Sequence, residues 1–283
     1  MDKNQPAITA PSLRYHGGKF RLASWIVSHF PMHKCYVEPF GGAASVLLKK
    51  PRSYAEVYND LDGEIVNFFR IVRDPDQCKR LIEALTLTPY ARAEFELAFE
   101  DTDDGIERAR RIAVRAQMGF GSCGATKSST GFRSDTKRQY GTTMHNWNKY
   151  PSNLAAICQR LLGVLIENKP WKHVIAAHDT ADTLFFIDPP YLHATRTMGH
   201  NKGYYRHEMT DIEHIELLKA VNAMQGMAVI SGYPSEMYRD MLADWHMVTK
   251  SARASAFRGS KLATEALWLN PSCHAAMERI DVA

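Results

Sequence analysis

The sequence predicts an α/β protein whose mostly parallel sheet is interrupted by an inserted, mainly helical domain. Two observations lead to this prediction. Strand, turn and helix patterns alternate near both ends of the chain, and the alternation stops between about residues 75 and 165. Strands that alternate with helices favour a parallel sheet with helical crossovers. The 283 residues, 45% of them hydrophobic, suffice for one sizeable core and a smaller appended domain.

The first part of the chain contains a strand–turn–helix–strand unit. Two glycines, Gly41 and Gly42, form its turn. The predicted elements are a helix at residues 19–30, a strand at 35–37, a helix at 43–49, a strand at 56–58 and a helix at 62–72.

The middle of the chain has a different pattern. It predicts helices over residues 75–116, an irregular or hairpin-like segment over 119–151 and another helix over 154–162. We therefore divide the chain into a main domain of residues 1–74 and 166–283 and an inserted domain of residues 75–165.

The α/β alternation resumes at residues 174–175. The apolar run Thr183–Ile187 is typical of a central strand. Thr210 and Glu213 have capping-box spacing and open a helix predicted to reach residue 223. Further strands are predicted at residues 227–231 and 265–269.

Composition argues against a membrane, secreted or metal-binding protein. No run approaches the roughly 18 apolar residues that cross a bilayer, and the polar N-terminal stretch lacks a signal-peptide core. The five cysteines are odd in number, lack CxxC spacing and form no ligand pattern with the histidines. We expect a soluble, cytoplasmic protein with reduced structural thiols and no bound metal.

Positive charge is concentrated in the predicted insertion. Between Arg108 and Lys149 lie nine basic residues and one acid, a net charge of +8, so the remainder of the chain carries −4. The nine are Arg108, Arg110, Arg111, Arg115, Lys127, Arg133, Lys137, Arg138 and Lys149. A localised basic block with interspersed aromatic residues favours contact with nucleic-acid phosphates, although a solvated charged loop would have a similar composition.

The tetrapeptide Asp188-Pro189-Pro190-Tyr191 directly follows the apolar strand. Ligands in open α/β sheets bind beyond the carboxyl ends of strands. The prolines fix the backbone and leave carbonyl groups as free acceptors, so a carboxylate and a carbonyl can together accept both hydrogens of an exocyclic amine. The tyrosine can stack on a flat ring. The pattern suits a planar amine, and a plain strand-ending turn is the alternative.

Two further strand ends have ligand-binding patterns. Glu38 is followed by Pro39, Phe40 and the glycine turn, which lets the backbone approach a ligand; the carboxylate favours a cationic or zwitterionic cofactor over phosphate. Asp60 ends the next strand, about twenty residues later, where nucleoside-binding folds place an acid on the ribose. Asp62 is the more natural helix cap.

A motif near the start of the chain completes the set. Tyr15-His16-Gly17-Gly18-Lys19 places two glycines before a lysine and a helix, which by itself is a weak loop pattern. Together with the three strand-end motifs, and in this order, it resembles the Dam-type DNA adenine methyltransferases. The resemblance extends over about residues 13 to 270.

The resemblance implies a Rossmann-like sheet that binds S-adenosylmethionine and an inserted domain that recognises double-stranded DNA. It implies methyl transfer to N6 of an adenine flipped out of the duplex, because that amine is inaccessible inside the helix. Residues 119–133 resemble the family's DNA-probing hairpin. A monomer or weak dimer is expected.

The resemblance also assigns residues to roles. The catalytic residues would be Asp188, Pro189, Pro190 and Tyr191. The cofactor-binding residues would be Tyr15, Lys19, Glu38, Phe40, Gly41, Gly42, Asp60, Asp179 and Asp188. From the basic block and its surroundings, the DNA-binding candidates are Arg115, Lys127, Arg133, Lys137, Arg138 and Asn146.

Several alternatives remain open at this level. The same flipped-amine geometry would serve N4 of cytosine or adenine in RNA. A DNA-binding protein without catalysis would not require the acidic and aromatic motif residues, and a small-molecule or protein methyltransferase would not require the +8 insertion. The recognised DNA site and the biological role, whether restriction–modification partner, regulator or mobile-element protein, do not follow from the motifs.

Overall fold

The structure is a computed structural model that describes residues 7–121, 124–126, 130–136, 142–196, 204–255 and 260–281. These residues form a seven-stranded sheet flanked by helices. The strands are β1 (Cys35–Glu38), β2 (Ala55–Asn59), β3 (Leu165–Glu167), β4 (Thr183–Ile187), β5 (Met227–Gly232), β6 (His246–Ser255) and β7 (Ser260–Leu269).

The helices lie before, between and after these strands. They are α1 (Ala23–Val27), α2 (Ser45–Lys49), α3 (Gly63–Arg73), α4 (Pro75–Leu87), α5 (Arg92–Leu97), α6 (Gly105–Met118), α7 (Thr143–Leu161), α8 (Trp171–His178), α9 (Asp211–Asn222), α10 (Glu236–Met241) and α11 (Pro271–Asp281). A short 3-10 turn spans His193–Thr195. No helix in the described ranges has the length and apolarity to span a bilayer.

The sheet order is β3-β2-β1-β4-β5-β7-β6. Strands β1 to β5 are parallel, and β7 runs antiparallel to both β5 and β6. The chain moves outward from β1 to β2 and β3, then returns to place β4 on the other side of β1. This reversal forms a crevice at the carboxyl ends of β1 and β4, where α/β sheets bind ligands.

Both faces of the sheet are covered, as a parallel sheet requires. All residues of β4 are buried. Leu184 and Phe186 belong to one apolar cluster, whereas Phe185 and Ile187 belong to the other, because successive strand residues point to opposite faces. The predicted strand Thr183–Ile187 is confirmed without any shift of its ends.

The helices of residues 75–165 share the larger apolar cluster with α3 and the sheet. Phe68 of α3, Leu81 of α4, Ile112 of α6 and Leu154 of α7 all lie in that cluster, together with Tyr36 of β1. The helices predicted over residues 75–116 are confirmed as α4, α5 and α6. Because the packing is continuous, the described part of the insertion is supported directly by α3 and the sheet.

The prediction of irregular structure over residues 119–151 is wrong from Thr143 onward. Helix α7 begins at Thr143 and continues through Pro151. Proline usually ends a helix, but a capping box starts this one, and the buried faces of Trp147, Tyr150 and Leu154 hold it against the core. Within the segment predicted to be hairpin-like, an isolated antiparallel bridge joins Gly119 and Phe132.

Two other differences concern short or edge elements. The alternation resumes at β3, before the predicted residues 174–175, which lie in α8. No residue of the edge strand β6 is buried over 246–252, the part whose side chains are described, so the strand lacked the apolar pattern that marked β5. By contrast, the capping box of Thr210 and Glu213 is confirmed at the start of α9.

Candidate active site

A cavity of about 330 Å³ lies at the carboxyl ends of β1, β2 and β4. Segments from all four sequence motifs line it, which confirms that the motifs meet in space. The lining includes Tyr15 to Lys19, Glu38 to Gly42, Asn59 to Asp62, and Asp188 with Pro190. Among the described residues, no cluster of histidine, cysteine, aspartate or glutamate is arranged to hold a metal ion.

Glu38 ends β1 at the floor of this cavity. One carboxylate oxygen, Oε1, accepts hydrogen bonds from the Tyr36 hydroxyl and the Leu47 backbone N–H, each at 2.7 Å. Burial raises the pKa of Glu38 to about 7. These contacts fix the carboxyl group between β1 and the start of α2.

The glycine turn after β1 is held close to β2. A Cβ atom on Gly41 would lie 2.1 Å from the Tyr58 ring, so no larger residue fits there without movement. Gly42 has a φ of +47°, which glycine adopts without strain. Its N–H donates to Asp60 at 2.8 Å and its carbonyl accepts from the Tyr58 hydroxyl at 2.7 Å.

Asp60 connects this turn to the end of β2. Its two oxygens accept from the backbone N–H groups of Gly42 and Asp62, each at 2.8 Å. Burial raises the pKa of Asp60 to about 6. Asp62 caps α3 by accepting from the Glu64 N–H at 3.0 Å, as its position predicted.

Asp188 and Lys19 form a buried ion pair at the end of β4. The Lys19 ammonium lies 2.9 and 3.0 Å from the two carboxylate oxygens and also donates to the Gly17 carbonyl at 3.0 Å. Burial raises the pKa of Asp188 although Lys19 opposes that change. Lys19 therefore favours the ionised form of this carboxyl group.

Tyr191 is fixed by partners that the sequence analysis did not identify. Its hydroxyl donates to Glu265 of β7 at 2.8 Å and lies 3.0 Å from the Ser231 hydroxyl of β5. The Tyr233 ring meets its ring edge-on at 4.8 Å, and the Lys19 ammonium lies 4.7 Å from the ring centroid. Glu265 is the one acid in the sequence of strand β7, next to the apolar residues 266–269, and this position was the available signal.

A second cavity of about 980 Å³, here called the groove, adjoins the first. Tyr15 to Lys19 and Tyr205 line both cavities. The tetrapeptide also joins them, because Asp188 lines the first cavity and Tyr191 lines the groove. Other groove residues include Arg14, Arg21, Arg133, Asn146, Lys149, Arg196 and Glu265.

The structure does not bring every predicted cofactor residue into the first cavity. Asp179 lines neither cavity; its carboxylate accepts from the backbone N–H groups of Gln225 and Gly226 before β5, at the amino-terminal edge of the sheet. Phe40 does line the cavity, with its ring centroid 6.4 Å from that of Trp171. Trp171 follows β3, a strand that the sequence analysis missed.

The predicted DNA-binding residues fall into three groups. Arg133 and Asn146 line the groove. Arg115 is only 8% exposed, donates to the Ala98 carbonyl at 3.0 Å and lies 3.4 Å from Glu64, so it does not line the groove. Lys127, Lys137 and Arg138 lie outside the described residues.

Much of the basic block is neutralised inside the protein. Arg108 pairs with Glu64, Arg110 with Glu94 and Glu107, and Arg111 also with Glu107. Arg133 is as buried as Arg115, at 7% exposed, but it lines the groove.

Comparison with known proteins gives a family match over most of the chain. Residues 15–255 match the family described as D12 class N6 adenine-specific DNA methyltransferase. The DNA adenine methylases of Serratia marcescens and Haemophilus influenzae are 36% and 39% identical over 61 and 64 residues, in each case 22% of this chain and 22% of the relative. That of Salmonella typhi is 31% identical over 91 residues, 32% of this chain and 28% of the relative.

These pairwise matches thus span less than a third of the relatives' own lengths. A solved precorrin 8W decarboxylase from Methanobacterium thermoautotrophicum aligns over 88% of this chain and 89% of its own, at 9% identity and a TM-score of 0.33. That similarity is too low to support an inference.

Proposed function

The chain belongs to the family of D12 class N6 adenine-specific DNA methyltransferases, and we propose that it transfers a methyl group from S-adenosylmethionine to N6 of an adenine flipped out of double-stranded DNA. One observation carries the proposal. The tetrapeptide after β4 lies where the two cavities meet, with Asp188 in the first cavity and Tyr191 in the groove. A reacting amine held there would reach both.

The first cavity fits S-adenosylmethionine by its size and chemistry. Three buried or half-buried carboxyl groups, on Glu38, Asp60 and Asp188, line the cavity and suit a cofactor that carries positive charge, and Asp60 would accept from its ribose hydroxyls. The flat rings of Phe40 and Trp171 offer apolar surfaces to an adenine ring. The bound cofactor would supply the methyl group.

The groove fits duplex DNA. Arg133 and Lys149 line it, and their positive charges can neutralise phosphates. Asn146 is exposed there and can reach either phosphates or base edges. Because these side chains come from residues 75–165, we propose that this insertion is the target-recognition domain and that residues 1–74 and 166–283 form the catalytic domain.

Catalysis would depend on positioning and on acceptors that are already in place. The flipped adenine stacks on the Tyr191 ring, whose orientation is fixed by Glu265 and Ser231. The Asp188 carboxylate and the Pro189 carbonyl would accept hydrogen bonds from the two N6 hydrogens, which frees the amine lone pair. S-adenosylmethionine would supply the methyl group as its sulfur–methyl bond breaks and S-adenosylhomocysteine leaves, and the proton that N6 loses would pass to Asp188 or to solvent. Burial raises the pKa of Asp188, and the adjacent Lys19 ammonium opposes that shift and so favours the ionised carboxylate that this role needs.

Product analysis tests the proposal. The protein is incubated with duplex DNA and isotopically labelled S-adenosylmethionine, and the DNA is digested to nucleosides and analysed by mass. We expect labelled N6-methyladenine with the wild type and none with Asp188→Ala, which should retain the wild-type fold. Labelled N4-methylcytosine, or methylation of RNA alone, would overturn the proposed acceptor, and activity retained by Asp188→Ala would overturn the assignment of the site.

A further inference from the structure

Arg196 joins the catalytic tetrapeptide to a distant acid. It follows the 3-10 turn after the tetrapeptide, and its side chain is only 8% exposed. Its Nε donates to the Tyr191 carbonyl at 2.8 Å, while Nη1 and Nη2 donate to the two carboxylate oxygens of Glu208 at 3.0 and 2.6 Å. Bidentate pairs of this kind hold both geometry and charge.

Glu208 in turn fixes the backbone before it. Its carboxylate oxygen Oε1 also accepts from the N–H groups of Tyr204 and Tyr205, at 2.6 and 3.1 Å. Although burial opposes the shift, Arg196 and these N–H groups lower the pKa of Glu208, so it is ionised at neutral pH. The Glu208 carboxylate therefore accepts hydrogen bonds from the Arg196 guanidinium and from the backbone N–H groups of both tyrosines.

Residues 204–209, here called the wall segment, separate the two cavities. The Tyr204 ring stacks on His16 at 4.4 Å and 9°, and the Tyr204 carbonyl accepts from the Thr126 hydroxyl of the insertion at 2.6 Å. Tyr204 lines the groove, Tyr205 lines both cavities, and the residues from 206 to 209 line the first cavity. The wall segment therefore contacts the insertion, the N-terminal motif and both cavities.

We propose that Arg196 and Glu208 are positioning residues that couple occupancy of the groove to occupancy of the first cavity. Hydrogen bonds of the pair connect the wall segment to the backbone of Tyr191. A ligand that orders the wall segment from the groove therefore also orders the surface that this segment presents to the first cavity, and the reverse holds for a ligand in the first cavity. The inference rests on the proposed function for the identity of the two ligands. Coupling of this kind is reciprocal between the two sites.

The test uses Glu208→Gln, Arg196→Lys and the double variant. In Glu208→Gln, the glutamine still offers an oxygen to the backbone N–H groups but has no negative charge. In Arg196→Lys, the lysine keeps the positive charge but loses the bidentate contact with Glu208 and the hydrogen bond to the Tyr191 carbonyl. S-adenosylmethionine affinity is measured by calorimetry with and without a short DNA duplex. We expect the duplex to increase the affinity for S-adenosylmethionine about tenfold in the wild type and by at most about twofold in each variant.

Single-turnover methylation at saturating ligands gives a second measurement. We expect a loss of about tenfold in either single variant, and no further loss in the double variant, because both changes break the same contact. The matched control is Lys34→Gln, which breaks an exposed ion pair with Asp182 at the opposite edge of the sheet and should change neither measurement.

The outcomes separate the proposals. An unchanged duplex effect in Glu208→Gln, or no duplex effect in the wild type, overturns the coupling, and a lower melting temperature with an unchanged duplex effect assigns the pair a merely structural role. If the wild type binds both ligands but methylates no adenine, the proposed function fails, while the binding measurements still test the pair.

Discussion

The residues predicted for the first cavity lie together in the folded protein, whereas several arginines of the basic block form ion pairs inside the protein. In the cavity, carboxyl groups predicted from short motifs, such as Glu38 and Asp60, lie together at the ends of adjacent strands. In the block, Arg108 and Arg115 are paired with Glu64 of α3, and Arg110 with Glu94. The position of a residue at a strand end therefore predicted its place in the candidate site better than the net charge of a segment did.

The difference has a physical origin. A parallel sheet brings the carboxyl ends of its strands to one edge, so residues that directly follow strands converge wherever the strands pair. A charged side chain has no such constraint. It can face solvent or pair internally, and partial burial favours pairing because an isolated charge is costly there.

The largest expected effect compares two aspartates at opposite edges of the sheet. Asp188→Asn should lower the single-turnover methylation rate about a hundredfold to a thousandfold, because the amide cannot replace a charged acceptor for the amine hydrogens. Asp179→Asn should leave that rate within about twofold, since Asp179 lines neither cavity. Equal losses in the two variants would contradict the assignment of the site to the carboxyl edge.

The next comparison sets two arginines of the basic block against each other. Arg133→Ala should weaken duplex binding about tenfold and reduce the slope of log affinity against log salt by about one, as loss of one phosphate contact does. Arg108→Gln should leave the slope unchanged, because Arg108 is already paired with Glu64. Fluorescence anisotropy over a salt series measures both, and a reduced slope in Arg108→Gln would show that the whole block contacts DNA.

The smallest effect is a pH dependence at Asp60. Because burial raises its pKa to about 6, its carboxyl group is neutral at lower pH and accepts poorly from ribose hydroxyls. We expect S-adenosylmethionine affinity to fall about fivefold between about pH 7 and about pH 5, and Asp60→Asn to remove the component due to this group. Calorimetry at several pH values checks this, and an identical profile in the variant would refute it.

Stability should follow the opposite trend at the same residue. The folded state holds the Asp60 proton more tightly than the unfolded chain, so the stabilisation from this carboxyl group is full below its unfolded pKa and is lost as the pH rises through about 6. The free energy of unfolding of Asp60→Asn relative to the wild type should therefore increase with pH across that window, as measured by urea denaturation.

Local signals account for the parts of the fold that were predicted correctly. The apolar run of β4 and the capping box of α9 are complete within a few residues, and the structure has both where they were expected. The first half of α7 and strand β6 were missed because their stabilising contacts are tertiary, whereas the second half of α7 was predicted as the helix over residues 154–162. Pro151 is retained in α7 by packing of its buried face, and β6 pairs along its whole length with β7.

The residues of the candidate site also divide into those identified from local sequence and those that only the tertiary structure brings together. The Tyr15 to Lys19 motif, the glycine turn and the tetrapeptide were identified from adjacent residues, and each of them contributes residues to the lining of the first cavity. Glu265 and Ser231 were not identified, since they come from β7 and β5 and reach the Tyr191 hydroxyl only after the sheet has formed. The Arg196–Glu208 pair likewise required the folded backbone around Tyr191.

The sequence by itself determined the α/β class, the motifs at the strand ends and the family resemblance, because each of these is encoded by short-range patterns. The tertiary structure decided which arginines pair with acids inside the protein, which side chains fix Tyr191 and which residues separate the two cavities. Those outcomes depend on ion pairs and hydrogen bonds between residues far apart in the chain, such as Arg108 with Glu64 and Tyr191 with Glu265. Their energies depend on burial and distance, which only the folded chain defines.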